Sequence, residues 1–302
     1  MNILHLQHGD FYLGVVPQLG AALSYFYRVL EGQRDDILRP ASPAALAQRD
    51  ICGMASFPLL PFCNRIRDGR FEFDGQRYQL AANLPPSIHA IHGVGWQSVW
   101  AVQDHCANAV SLALDYVPEQ GMPRWPWRFR AELDYRLDAQ GLQVRTRIFN
   151  QDRGAMPFGF GHHPYFPRRA GQLSQAQLNA MWDSDTERLP THLIKPPFLT
   201  EIAQGADVNA LDLDHHFCCW NGCALLLDSD RVPLLELYAD AHFSFLNVYS
   251  PKDASFFCLE PVSQIADAFN LLARRDAVSD VGGEILSPGE MCEAVWGVKV
   301  FY

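Results

Sequence analysis

Four stretches of this chain place titratable or strongly polar side chains where an ordinary core would hold apolar ones. In Phe256-Phe257-Cys258-Leu259-Glu260-Pro261-Val262 one carboxylate closes an apolar run. Burying such a group is costly, and desolvation raises its pKa towards the range of a general base, so Glu260 is a catalytic candidate unless it points outward at a strand end. In Gly159-Phe160-Gly161-His162-His163-Pro164-Tyr165-Phe166 two histidines stand between glycines and a proline that would hold an imidazole rigidly. Either one suits proton donation or acceptance near neutrality, and either one suits a satisfied core position. Arg65 follows the Pro-bounded run Phe57-Pro58-Leu59-Leu60-Pro61-Phe62. Its planar five-donor head fits hydroxyls or a carboxylate, whether on a ligand or in a salt bridge within the fold. The loop 85–96 presents His89 and His92, which serve either a ligand or the loop's own backbone.

These side chains need a scaffold, and the periodicity names one. Apolar and polar residues alternate along 110–117, 129–137, 142–149 and 291–301, the mark of half-buried strands. Asp74-Gly75 supplies the positive φ angles of a tight hairpin between 71–73 and 76–80, and Asp138-Ala139-Gln140-Gly141 reads as a second hairpin. Helical signals are few: Ser42-Pro43 is an N-cap followed by proline at the first helical position, and 264–275 holds one short helix. No strand–helix–strand rhythm appears, and Pro196-Pro197 and 184–191 read as loops. The expected class is all-β, a large antiparallel β-sandwich, with 1–302 as a single domain. Trp96, Trp125, Trp127 and Trp182 are read mainly as core.

A formal net charge of −10 without a basic block argues against a nucleic-acid partner. No run approaches ~18 apolar residues and the first residues lack a basic start, so no membrane partner and a cytoplasmic location are expected. The eight cysteines read as reduced thiols. His215, His216, Cys218, Cys219 and Cys223 crowd into nine residues, but without a Cys-x-x-Cys pair the expectation is no metal there.

Taken in chain order, Asn64-Arg65-Ile66, His92-Gly93, His163-Pro164-Tyr165-Phe166, Asp214-His215-His216-Phe217 and Cys258-Leu259-Glu260-Pro261 resemble the aldose 1-epimerase (galactose mutarotase) family, as does Ala266-Asp267-Ala268-Phe269-Asn270. The resemblance implies a galactose mutarotase-like supersandwich and a cofactor-independent isomerase of carbohydrate metabolism. It makes Glu260 the general base and His163 the general acid, with Arg65, His92 and Asp214 gripping a monosaccharide's hydroxyls and ring-oxygen region. The base takes the C1 hydroxyl proton while the acid protonates the ring oxygen; the opened aldehyde rotates about C1–C2 and closes on its other face. No metal, nicotinamide or other cofactor is implied, and the chain would act as a monomer or homodimer. The loop continues as Val94-Gly95-Trp96-Gln97 instead of the family's longer glycine-rich segment, which leaves His89 as an alternative to His92. Three other readings remain: a phosphorylated hexose held by Arg168-Arg169 or by Arg67 and Arg70, a non-catalytic sugar sensor of the same fold, and a glycoside hydrolase using Asp214 with Glu260.

Overall fold

The expected alternation resolves into real strands. A computed structural model of the chain describes residues 2–207, 209–210, 212–274 and 277–301. The long runs are Ala109–Tyr116, Phe129–Asp138, Gly141–Asn150 and Met291–Val300, adjacent and antiparallel in that order. They form the heart of a nine-stranded sheet that continues through Pro233–Ala239, Cys223–Leu227, Leu173–Ala176 and Ala206–Asp207, with Ala101–His105 on the opposite edge. Both hairpins form where the turn residues put them. Asp74 and Gly75 lie at φ 50° and 71° between Arg70–Phe73 and Gln76–Gln79, and the Asp138 carboxylate accepts from the Gln140 backbone N–H at 2.7 Å.

A second, eight-stranded sheet runs Pro190–Ile194, Ala180–Ser184, Leu213–Cys218, Phe245–Ser250, Phe256–Val262, Gly161–His162 and Pro58–Leu59, with Tyr165–Pro167 also on Phe256–Val262. The two sheets share one buried cluster: Leu133, Tyr135 and Trp296 from the first meet Phe217, Leu246, Phe257 and Leu259 from the second. The expected all-β antiparallel sandwich is therefore the observed architecture. Period-two alternation has a consequence for chemistry: because Phe257 and Leu259 face this core, Phe256, Cys258 and Glu260 face away from it. An N-terminal four-stranded sheet, Leu4–His8 to Gln33–Leu38, and three two-stranded sheets, one of them pairing Arg65–Ile66 with Ala90–Ile91, complete the architecture.

The helix Pro43–Gln48 forms behind Ser42, whose hydroxyl accepts from the Ala45 N–H at 3.0 Å. Ala268–Ala273 occupies the expected 264–275 window, although Arg275 lies outside the described residues. Two loop expectations need correction. Ser184 ends a strand and 190–191 begin another, so the connection is 185–189 only. After Pro196-Pro197 comes the helix Phe198–Gln204, because Pro197 already has a helical backbone and Leu199 and Ile202 bury one face at i, i+3.

The loop that carries His92 is fastened to the sandwich by backbone. Val94 and Gly95 N–H both donate to the Leu60 carbonyl, at 2.9 and 3.0 Å, and Gly93 between them and His92 has φ +69°. A Cβ on Gly93 would meet the Leu60 oxygen at 2.1 Å. Gly93→Ala should therefore destabilise the protein by roughly 2 kcal/mol or more, from left-handed strain plus the lost close approach. A urea midpoint unchanged from wild type would contradict this account of the loop.

Candidate active site

Register builds one wall. Across the pair Phe245–Ser250 and Phe256–Val262, Asn247 stands opposite Glu260 and Tyr249 opposite Cys258; across Leu213–Cys218, Asp214 stands opposite Tyr249. Glu260, Asn247, Tyr249 and Asp214 thus share a face and line one cavity of about 460 Å³. Glu260 is only 1% exposed. The Asn247 amide donates to its Oε1 at 2.8 Å. Burial pushes the Glu260 carboxyl well above the ordinary carboxylate range; the nearby Asp214 charge adds to that, while the Asn247 bond and Arg65 oppose it.

His163 enters from the turn after Gly161–His162, with its Nε2 3.4 Å from Glu260 Oε1. Its ring packs against two others: Tyr165 stacks on it at 4.6 Å between centroids and 15° between planes, and Phe57 lies at 4.9 Å, tilted by 30°. Behind Tyr165 the Arg39 guanidinium sits 3.9 Å from the ring centre and 4.6 Å from that of Phe256. Arg39 is anchored there by donating to the carbonyls of Cys52 and Met54, at 2.8 and 2.7 Å. Burial, with the Arg39 charge helping, lowers the His163 pKa to about 3. Burial thus drives carboxyl and imidazole alike towards their neutral forms.

The opposite rim comes from two strained residues that fix each other. Asn64 and His92 both have left-handed backbones, φ 56° and 58°. The His92 N–H donates to the Asn64 carbonyl at 2.9 Å, and the Asn64 N–H donates to His92 Nδ1 at 3.1 Å. That bond leaves the ring proton of the neutral His92 on Nε2, and burial lowers the His92 pKa well below its ordinary value, with the neighbouring His163 contributing. The Asn64 side-chain oxygen accepts from both the backbone and a guanidinium nitrogen of Arg65, at 2.9 and 3.0 Å, which aims Arg65 at the cavity it lines. Asp214 is held from outside by Arg188, Nε to Oδ2 3.8 Å.

Of the sequence candidates, Arg65, His92, His163, Asp214 and Glu260 all line this cavity. The alternatives do not. His89 accepts from the Asp68 N–H at 3.1 Å and is buried away from the cavity. His162 points into the core between the sheets, 4.8 Å from the Trp296 ring and 6.3 Å from that of Tyr135. His216 accepts from the buried Ala266 N–H, and Cys219 is exposed, so the 215–223 ligands do not converge. All eight cysteines are free thiols. Trp96, Trp125, Trp127 and Trp182 are core, while Phe57, Tyr165, Tyr249 and Phe256 supply the aromatic surface. Sequence reasoning missed Asn247 and Arg39. The signal for Asn247 was there: one amide inside the apolar run Phe245-Leu246-Asn247-Val248. Two larger cavities, of about 590 and 750 Å³, have no histidine in their lining.

An antiparallel sandwich thus carries a buried carboxyl–imidazole pair beside Arg65, His92 and Asp214 at one cavity. The chain belongs to the aldose 1-epimerase family, whose sequence pattern matches residues 2–296. It is 30% identical over 310 residues to the uncharacterized protein YphB of Escherichia coli K12, with 99% of each chain covered. It is also 27% identical over 201 residues to the galactose mutarotase of Rattus norvegicus, covering 58% of this chain and 56% of the rat protein. A galactose mutarotase-like protein from Clostridium acetobutylicum has the same fold, with TM-score 0.85, 20% identity, and 98% and 95% of the two chains covered.

Asn247 stabilises the ionised carboxylate, so its removal has a defined sign. Asn247→Leu, close in volume, should raise the pH at which Glu260 loses its proton by about one unit, since a charge-assisted bond is worth roughly 1.5 kcal/mol. Carboxyl carbon NMR titration checks this; an unchanged or lowered value would remove Asn247 from the site's electrostatics.

Proposed function

We propose that the chain, with 1–302 acting as one mutarotase-like unit, is an aldose 1-epimerase that interconverts the α and β anomers of a free aldose such as glucose or galactose. The observation that carries this reading is the 3.4 Å approach of His163 Nε2 to Glu260 Oε1 at a cavity lined by Arg65, His92 and Asp214. In its ion-pair form the couple has the base and the acid that ring opening needs. Glu260 takes the C1 hydroxyl proton as His163 gives one to the ring oxygen, and the same two groups reverse the transfers when the ring closes. One proton enters and leaves the pair per cycle, so it is restored without any outside donor. Arg65, His92 Nε2–H and Asp214 offer donors and an acceptor to the hydroxyls. Interactions with the opening ring accelerate the reaction; equal grip on both anomers only binds them.

A free sugar is favoured over a phosphorylated one by the state of the basic side chains. Arg168 donates to the Phe256 and Pro251 carbonyls and to Ser250, Arg169 to Asp35, Arg67 to Asp185 and Arg70 to Gln79. Each is committed to the fold. No helix among the described residues is long and apolar enough to cross a membrane.

Freshly dissolved α-D-glucose and α-D-galactose, followed by polarimetry, should equilibrate faster with wild type. His163→Asn and Glu260→Gln should each lose about 10²- to 10⁴-fold of that acceleration. Binding without acceleration would make the protein a sensor, acceleration confined to glucose 6-phosphate would overturn the free-sugar reading, and cleavage of a glycosidic bond would point to a hydrolase. The pH profile adds a second check. Activity requires one proton on the pair, so it falls on the acid side only when a second is gained. With His163 lowered to about 3, that limb in kcat/KM should lie well below the ordinary imidazole value of about 6.5. The alkaline limb marks loss of the shared proton and should lie above the ordinary carboxylate value. An acid limb near 4.3 with an alkaline limb near 6.5, the ordinary carboxyl and imidazole values, would mean two independent, solvated groups.

A further inference from the structure

Away from the sugar cavity, three side chains of different ligand type converge from three separate segments. His242 lies in the turn after Pro233–Ala239, Glu284 begins the strand Glu284–Leu286, and Cys292 is the second residue of Met291–Val300. His242 Nδ1 is 3.3 Å from Glu284 Oε1 and 3.7 Å from Cys292 Sγ, and the three ligand atoms all lie within 4.8 Å of one another. Among the described residues this is the one such trio of histidine, cysteine and carboxylate ligand atoms. We propose that His242, Glu284 and Cys292 form a binding site for a borderline-soft divalent cation, Zn²⁺ foremost, that ties these three segments together.

The distances, which are also those of hydrogen bonds, match the edges of a metal's coordination shell. Tetrahedral zinc, with bonds of about 2.3 Å to sulfur and about 2.0–2.1 Å to nitrogen and oxygen, sets the ligand atoms about 3.6 Å apart for N···S and about 3.4 Å apart for N···O. The two edges through His242 have nearly these lengths before any movement. The third edge closes by rotation of Glu284, whose side chain is 40% exposed. An S, N, O donor set suits Zn²⁺ or Co²⁺ and does not suit Mg²⁺ or Ca²⁺.

The surroundings hold the ligands in place. The Asp240 carboxylate accepts from the His242 N–H at 3.0 Å and from the Val295 N–H at 2.6 Å, and the Asp240 N–H donates to the Val295 carbonyl at 2.9 Å. The turn that carries His242 is thereby clamped to the strand that carries Cys292. Glu284 is fixed by pairing with Phe158 in the neighbouring strand. Cys292 is buried, whereas His242 is 44% exposed in its side chain, so a cation can enter from solvent and a water can complete the coordination. The Cys292 thiol is pushed up to about 12, by burial first and then by the Glu284 and Asp240 charges. Binding releases its proton to solvent and forms the metal–sulfur bond, and the cation offsets the two carboxylates.

Cobalt(II) gives a direct readout. Chelator-treated full-length protein should take up one equivalent of Co²⁺ with a thiolate-to-metal charge-transfer band. That band should vanish in Cys292→Ser, and His242→Ala and Glu284→Gln should each weaken affinity at least tenfold. Zn²⁺ should raise the Tm of wild type and of Cys219→Ser, but not that of Cys292→Ser. Failure to bind one equivalent, or a charge-transfer band that survives in Cys292→Ser, would overturn the proposal. Circular dichroism of each variant without metal separates lost binding from lost fold.

Discussion

The structure turns on one constraint: a carboxyl and an imidazole, 3.4 Å apart, have both been taken out of water. Neither is cheap to charge alone in that setting. As a pair they stay neutral while still exchanging a proton, because the ion pair and the neutral pair differ only in which atom carries it. The neighbours serve this arrangement. Asn247 donates to the carboxylate, Tyr165 stacks on the imidazole, Phe57 packs against it, and Arg39 lies behind Tyr165. A solvated site would let each group titrate near its ordinary value, and at neutral pH the imidazole would mostly lack its second proton.

Strand register delivers these groups to one another. A slip by one residue in Phe256–Val262 would send Glu260 into the core between the sheets and bring Leu259 to the cavity. The core residues Phe257 and Leu259 thus fix the site as well as the fold. Of the neighbouring histidines, His162 is spent against Trp296 and Tyr135, which leaves His163 for the cavity. On the loop side the ladder is only two residues long, Arg65–Ile66 on Ala90–Ile91, and the Asn64–His92 pair extends it with mutual hydrogen bonds and two left-handed backbones.

The long strands and hairpins were legible because their signals are local: period-two alternation along 129–149 and the turn residues around Asp74-Gly75 and Asp138. Glu260 and Arg65 were legible as charges in apolar company. The choice of His163 over His162 and of His92 over His89 came from the family resemblance; only packing and loop hydrogen bonding give it a physical reason. Arg39 carries no local mark, because its role depends on Tyr165 and Phe256, more than a hundred residues away in sequence. The helix Phe198–Gln204 was hidden behind Pro196-Pro197, where proline serves as a helix start as readily as it marks a loop. The trio at His242, Glu284 and Cys292 carries no metal-site motif in the sequence: Glu284 and Cys292 lie close together in sequence, but His242 precedes Glu284 by 42 residues.

The central claim is that Glu260 and His163 share one proton. It is tested most directly by NMR, following the Glu260 carboxyl carbon and the His163 ring nitrogens across pH in the same sample. The account predicts that His163 resists protonation below its ordinary value while Glu260 loses its proton above the ordinary carboxylate range, the two titrating as one coupled pair. Two independent titrations, near 4.3 for the carboxyl and near 6.5 for the imidazole, the model-peptide values, would contradict it.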